Sequence, residues 1–288
     1  MPDTKTRPAV RLAKADEFDP EKTFECGQCF RWSRTADGVY TGVAFGRAAS
    51  VWAEGETVFT DAGEDEVRAL WSDYFDLKTD YKAINKEFTH SDFLRTCAEY
   101  GRGIRILNQD FWETLCSFII SQCNNIPRIK KIILTLCENF GEPVLKNGET
   151  LYTFPAAETV ARLGPDDLEV LKCGYRAEYI SKAARFCSNS AGDTAALRNK
   201  DAREAVRELM KLRGVGEKVA NCVALFGLGK KDAFPVDVWM RRALEEFFPP
   251  GFDPLSLGPY AGLAQQYIYH YARTAARTKV NGKGEARE

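Results

Sequence analysis

AREAVRELMKLRGVGEKVANCVALFGL, residues 202–228, is the most informative stretch of the chain. Its first part reads as an amphipathic helix to Leu212. Arg213-Gly214-Val215-Gly216 turns the chain, and a second helix follows with Val219, Cys222, Val223 and Phe226 on its inner face. Glycine at 214 and 216 permits positive φ and close approach of another backbone. Such a turn aims unpaired amides at the head of the second helix, where the macrodipole favours a phosphate oxygen. This is the physics of the helix-hairpin-helix, which grips a DNA backbone without reading its sequence. The competing reading is a plain αα-hairpin whose glycines serve tight packing.

Lys218 falls in the first turn of the second helix, where the dipole repels a cation. It is either an exposed residue that meets a phosphate or an amine whose pKa is pushed down for nucleophilic attack. Asp237 favours the second reading. In KKDAFPVDVWMRRALEEFF it follows an apolar, proline-containing run and precedes an amphipathic helix. It is therefore a natural N-cap, and an aspartate held there could also stabilise a cation developing on a bound sugar.

Upstream, CFRWS, VYTGVAF, SVWAE and TVFTD are short apolar runs broken by turn residues, with Asp37-Gly38 as a hairpin turn. They predict antiparallel strands. DEVRALWSDYF switches to helical spacing with Val67, Leu70, Trp71 and Tyr74 on one face. From about residue 92 helices dominate. One runs through DFWETLCSFIISQ, another through RIKKIILTLCENFG with Pro127 in its first turn and Gly141 at its end, and further ones fit 157–164, 165–172, 175–190 and 201–212. The expected fold class is α+β, mostly α. A β-rich domain over 1–95 precedes a multi-helix body over 96–275, and 276–288 is a flexible tail. Residues 254–272, PLSLGPYAGLAQQYIYHYA, lack any formally charged residue although 28% of the chain is charged. Taken alone, this is a helix buried on several sides; it also suits the wall of a pocket for a flat neutral ligand, with Gln265 and Gln266 as its polar groups.

Composition narrows the class. The chain has 288 residues, 44% of them hydrophobic, which excludes a disordered or fibrous protein. It has no apolar run long enough for a membrane span, and MPDTKTRPAV carries no apolar signal region, so a soluble intracellular protein is expected. That fits a bacterial cytoplasm, at the nucleoid, and leaves a nucleus open. Net charge is −1, but unevenly spread. Residues 1–100 hold 13 Lys and Arg against 19 Asp and Glu, and residues 101–288 hold 27 against 22. A polyanion would meet the C-terminal part. Of nine cysteines only Cys26 and Cys29 are close in sequence, so no zinc knuckle is expected. No cysteine follows Cys222, which rules out a compact iron–sulfur loop near the C-terminus.

LRGVGEKVANC and FPVDVWMRRAL together resemble the helix-hairpin-helix/Gly-Pro-Asp DNA glycosylases, in particular their 8-oxoguanine glycosylase/lyase branch. GQCFRW at 27–32, SFIISQCNNIPRIKKII at 117–133, CGYRAEYI at 173–180 and GPYAGLAQQYIY at 258–269 extend the similarity over about 22–272. The resemblance implies removal of 8-oxoguanine from duplex DNA, followed by nicking of the strand. Lys218 would attack C1′ of a flipped nucleotide, and Asp237 would stabilise the oxocarbenium-like transition state. Gly27 would accept the N7–H found only on the oxidised base, leaving an unpaired carbonyl against guanine. Gln265 would read the Watson–Crick edge, with Tyr269 and Cys222 on the two faces of the base. The charge-free stretch then becomes a pocket wall. Tyr175 would fill the hole in the stack, and Arg128 and Arg176 would hold the orphaned cytosine. Main-chain carbonyls of Met210, Leu212 and Val215 would hold a structural cation bridging to phosphate. No redox or nucleotide cofactor is implied, and a monomer suffices.

Two departures bear on specificity. Cys123 stands where relatives have the first asparagine of a short run, so Asn124 would have to take over that contact to cytosine. Trp239 stands where eukaryotic relatives have a phosphate-contacting histidine. Two alternatives remain at this stage: a glycosylase of the same fold for another damaged purine, and a non-catalytic helix-hairpin-helix protein.

Overall fold

The computed structural model describes residues 9–164, 166–189 and 191–281, with side chains for all of these except 89, 90, 191–193 and 275–281. The N-terminal unit is a five-stranded antiparallel sheet in the order β1-β5-β4-β3-β2. Its elements are β1 (Val10–Lys14), α1 (Pro20–Glu25), β2 (Trp32–Arg34), β3 (Tyr40–Ala44), β4 (Arg47–Glu54) and β5 (Thr57–Thr60). The short helices α2 (Glu64–Glu66) and α3 (Ser72–Tyr74), joined through a π-helical turn, close over the sheet. An aromatic core forms between them: Phe24 stacks on Trp32 at 4.3 Å, and Trp71 on Phe75 at 5.6 Å.

The helical body contains α4 (Tyr81–Asn85), α5 (Asp92–Tyr100), α6 (Phe111–Ser121) and α7 (Ile126–Phe140), then a two-stranded hairpin of β6 (Pro143–Lys146) and β7 (Glu149–Tyr152). It continues with α8 (Ala157–Ala161), α9 (Arg176–Asn189), α10 (Ala191–Asn199), α11 (Ala202–Leu209), α12 (Glu217–Gly227), α13 (Val238–Phe247) and α14 (Ala261–Asn281). α6 is buried on most of its circumference and lies at the centre of the body, against α7, α9 and α12. No helix among the described residues is long and apolar enough to cross a membrane.

Several local expectations change. β1 was not anticipated, and β6–β7 interrupts the helical body around Asn147-Gly148, both at positive φ as a tight hairpin turn requires. Of the helix expected over 165–172, the described residues 166–172 give a 3-10 turn, Glu169–Leu171, and Lys172 is left-handed where the helix would have continued. The tail expected from 276 is helical to Asn281, since no glycine or proline breaks the segment before Gly282; the rest of that tail lies outside the described residues. The division at 95 is soft, because Tyr81, Ile84, Phe88 and Leu94 already pack into the helical core. The Arg31–Glu113 ion pair, at 3.0 Å, ties sheet to body.

Candidate active site

The hairpin that joins α11 to α12 sets the position of Lys218. Gly214 has φ +88°, and a Cβ there would lie 2.3 Å from the Tyr179 ring, so only glycine lets the turn seat on α9. Gly216 does not use the positive φ that glycine permits: it is the N-cap of α12 with φ −89°, a value open to any residue. A Cβ at 216 would meet nothing within 4 Å, and no side chain caps the helix. The first amides of α12 are therefore without a side-chain cap. Gln122 fixes the turn from the other side, its Nε2 donating to the Gly214 carbonyl at 2.9 Å.

Lys218 is half-buried. Its Nζ donates to Ser121 Oγ at 3.4 Å and stands 4.9 Å from the centre of the Phe118 ring. One turn further along α12 is Cys222, whose thiol burial pushes up to about 11, with the Lys218 ammonium pulling the other way. Asp237 caps α13, its Oδ1 accepting from Met240 N at 2.8 Å. Lys218 and Asp237 line one recess, yet no ion pair within 4.0 Å joins them among the described residues. The amine is thus held near the carboxylate without being locked to it.

That recess is small, about 40 Å³, room for little more than one water. Gly27, Cys222, Gln265, Gln266 and Tyr269 are among its other walls, with Cys26, Phe118, Phe226 and Pro235. It adjoins a cleft of about 680 Å³, whose lining shares Gly27, Lys218, Asp237 and Tyr269 with the recess and adds the 121–127 loop and Trp239. Gln265 and Gln266 are both almost fully buried on α14. Gly27 has φ +83°, and the Tyr269 hydroxyl lies 3.4 Å from where its Cβ would be. Burial pushes the Tyr269 phenol up, opposed by the Arg273 guanidinium. The neighbouring Gln28 anchors this loop: its amide donates to the Thr23 and Arg105 carbonyls at 2.9 and 2.8 Å and accepts from Leu107 N at 2.9 Å. Gln109 Nε2 donates to the Gln28 carbonyl at 2.7 Å.

The residues assigned to the opposite strand divide into two groups. Tyr175 projects from the start of α9 and is 54% exposed, its ring stacked on the Arg176 guanidinium at 4.6 Å. Arg128 is exposed at the start of α7 and reaches the Lys172 carbonyl at 3.3 Å. Arg176, by contrast, is buried and donates to the carbonyls of Gln122, Cys123 and Cys173. Asn124 is likewise engaged within its own loop, with Nδ2 on the Ile120 carbonyl at 3.2 Å and Oδ1 accepting from Asn125 N at 3.0 Å. Cys123, at φ +47°, is exposed there, as is Asn125. Trp239 lines the cleft 5.7 Å below the Arg242 guanidinium. Of the three hairpin carbonyls, that of Leu212 already accepts from Val215 N at 3.0 Å, which leaves it one lone pair.

Phe118, Ser121, Gln122, Gln28 and Arg273 were not singled out from the sequence. Each belongs to a stretch carrying the resemblance or flanks the pocket helix, but contact with Lys218, Gly214 or Tyr269 is a tertiary fact with no local signature.

Family models and solved structures identify the family. Residues 10–115 match the model of the 8-oxoguanine DNA glycosylase N-terminal domain, and residues 116–252 match the HhH-GPD superfamily of base excision DNA repair proteins. An N-glycosylase/DNA lyase of Saccharomyces cerevisiae is 44% identical over 153 residues, 49% of this chain and 41% of that protein. One from Arabidopsis thaliana is 28% identical, over 88% of this chain and 73% of that protein. The 8-oxoguanine glycosylase/lyase of Clostridium acetobutylicum, solved with DNA containing cytosine opposite 8-oxoguanine, superposes with a TM-score of 0.86. It is 36% identical, with 93% of this chain and 95% of that chain covered. An MBOgg1 structure with a low-affinity DNA ligand gives a TM-score of 0.87 at 38% identity, covering 93% and 96%. The chain belongs to the 8-oxoguanine DNA glycosylase family within the helix-hairpin-helix/Gly-Pro-Asp superfamily.

Proposed function

We propose that the protein removes 8-oxoguanine from duplex DNA, preferentially opposite cytosine, and nicks the strand through Lys218. One observation carries the reading: a lysine amine without an ion-pair partner among the described residues and an N-cap aspartate line a single recess together with two buried amides and Gly27. A nucleotide flipped into the cleft would present C1′ to Lys218 Nζ. The amine forms a bond to C1′ while the glycosidic bond breaks and its electrons leave with the base, which takes up a proton. Asp237, through the oxygen not used for capping, offsets the positive charge on the sugar. The nitrogen, having yielded one proton to the base, passes its other to the ring oxygen O4′ as the C1′–O4′ bond breaks, which leaves a Schiff base. Removal of a C2′ proton then expels the 3′ phosphate, and hydrolysis returns the amine.

In this reading Gly27 accepts N7–H of the oxidised base, Gln265 meets its Watson–Crick edge, and Tyr269 and Cys222 stack on its faces. A purine exceeds the 40 Å³ recess, so its walls part as the base enters. The uncapped amides of α12 receive a phosphate. Carbonyls of Met210, Leu212 and Val215 would hold a structural cation there, and no other cofactor is required. Tyr175 fills the vacated stack. Arg128 is exposed and gives up only its Lys172 carbonyl contact to reach a cytosine, while Arg176 and Asn124 must leave their loop contacts. The protein acts as a monomer, where the DNA is: the nucleoid, or a nucleus.

Base release is measured with 8-oxoguanine opposite each of the four bases. The reading predicts fastest release opposite cytosine, by a margin of about tenfold or less over the others, since one expected contact is a thiol. Equal rates opposite all four bases would remove the cytosine preference. No release at all would remove the substrate.

A further inference from the structure

Resting on that reading, we propose that Gln266 is a second base-reading residue, which orients the Gln265 amide and supplies an acceptor to the base. Two observations carry this. Gln266 Nε2 donates to Gln265 Oε1 at 2.6 Å, a bond between neighbouring side chains that are both almost fully buried. The remaining oxygen, Gln266 Oε1, is one of two buried side-chain polar atoms among the described residues without a hydrogen-bond partner; the other, Tyr40 Oη, is in the sheet domain. A buried carbonyl oxygen without a donor is costly, and this one belongs to a residue lining the recess with Lys218 and Asp237.

The pair behaves as one recognition element. With Gln265 Oε1 taken by Gln266, the Gln265 amide turns its N–H groups away from its neighbour, and Gln266 contributes a free acceptor beside them. The result is one donor and one acceptor on the same wall. A guanine-type base carries the complementary set on its Watson–Crick edge, the O6 acceptor beside the N1–H donor. An adenine-type base carries the reverse, an amino donor beside a bare N1, and would leave Gln266 Oε1 facing a lone pair. The bare acceptor is thus filled by the correct base, and a wrong one is rejected because burying it leaves groups unpaired.

The test is single-turnover release of 8-oxoguanine and of 8-oxoadenine, each opposite cytosine. Nicking of a duplex with a preformed abasic site, which contains no base to read, is the internal reference. For Gln266→Met the ratio of 8-oxoguanine release to abasic-site nicking should fall about 10- to 100-fold, the loss expected for one buried hydrogen bond left unmade. The preference for 8-oxoguanine over 8-oxoadenine should narrow. An unchanged ratio and preference, with the wild type active, overturns the assignment of Gln266 while the substrate reading stands. No 8-oxoguanine release by the wild type overturns the substrate reading itself. Gln266→Glu is the isosteric second arm should the methionine variant fail to fold. A protonated carboxyl there donates to Gln265 and still offers a carbonyl, whereas the carboxylate cannot donate. Its 8-oxoguanine release relative to wild type at the same pH should rise as pH falls from 8 to 5.5. A flat profile would contradict the orienting bond. Cys26, Lys218, Cys222, Asp237 and Tyr269 are the titratable neighbours in the recess, and abasic-site nicking by each protein over the same pH range reports any change in the nucleophile, so release is divided by it.

Discussion

At residue scale, the two hairpin glycines do different work. The Gly214→Ala variant combines a left-handed backbone with a methyl placed inside the Tyr179 ring, and should cost about 2–4 kcal/mol. Gly216→Ala meets no neighbour and keeps an ordinary φ, so its stability should stay within about 0.5 kcal/mol of wild type. Its methyl does stand before the uncapped amides of α12, so affinity for duplex DNA should drop. Thermal unfolding together with fluorescence anisotropy separates the two; equal stability losses would contradict the distinction. Sequence alone could assign a turn to Arg213–Gly216, because glycine spacing is a local signal. It could not tell which glycine is constrained, because the Tyr179 ring is supplied by α9, 35 residues earlier.

At the scale of elements, Asp237 serves both α13 and the recess. Its two roles come apart in a pair of variants. Asparagine caps a helix as well as aspartate does, so Asp237→Asn should leave the melting temperature close to wild type while base release falls by about 100-fold or more. Asp237→Ala should lose the same activity and in addition about 1 kcal/mol of stability. A stable, fully active Asp237→Asn protein would leave capping as the residue's whole function. The cap was legible because a proline-containing run meets an amphipathic helix at Asp237. Elements of mixed signal were less so. The β6–β7 hairpin carried its Asn147-Gly148 signature in an otherwise helical context, and 166–172 ended as a turn because Lys172 went left-handed. The Arg176 clamp was not legible: an arginine's preference for buried carbonyls over solvent depends on the loop it meets.

At the scale of the whole molecule, α14 carries Gln265 and Gln266 of the recess wall, and His270 links it to acid stability. Burial lowers the His270 pKa to about 4 from its usual 6.5, aided by Lys22 and opposed by Asp19. Between pH 6.5 and 4 the unfolded chain therefore binds a proton that the folded one refuses, and stability falls as pH falls through that window. The partly exposed ring, tilted 36° against Tyr100 at 5.3 Å, limits the loss to about 1–2 kcal/mol. His270→Phe keeps the ring contact, and its stability relative to wild type should improve progressively from pH 6.5 to 4 in urea unfolding. A constant difference would place the acid sensitivity elsewhere.

The central claim is that Lys218 attacks the sugar of an 8-oxoguanine nucleotide. The most direct measurement is borohydride trapping of the protein on a duplex with one 8-oxoguanine opposite cytosine, beside an undamaged duplex and the Lys218→Gln variant. The mechanism predicts a covalent protein–DNA adduct on the damaged duplex alone, absent in the variant although the variant still binds. An adduct that persists without Lys218, or base release by the wild type with no adduct at all, would contradict it.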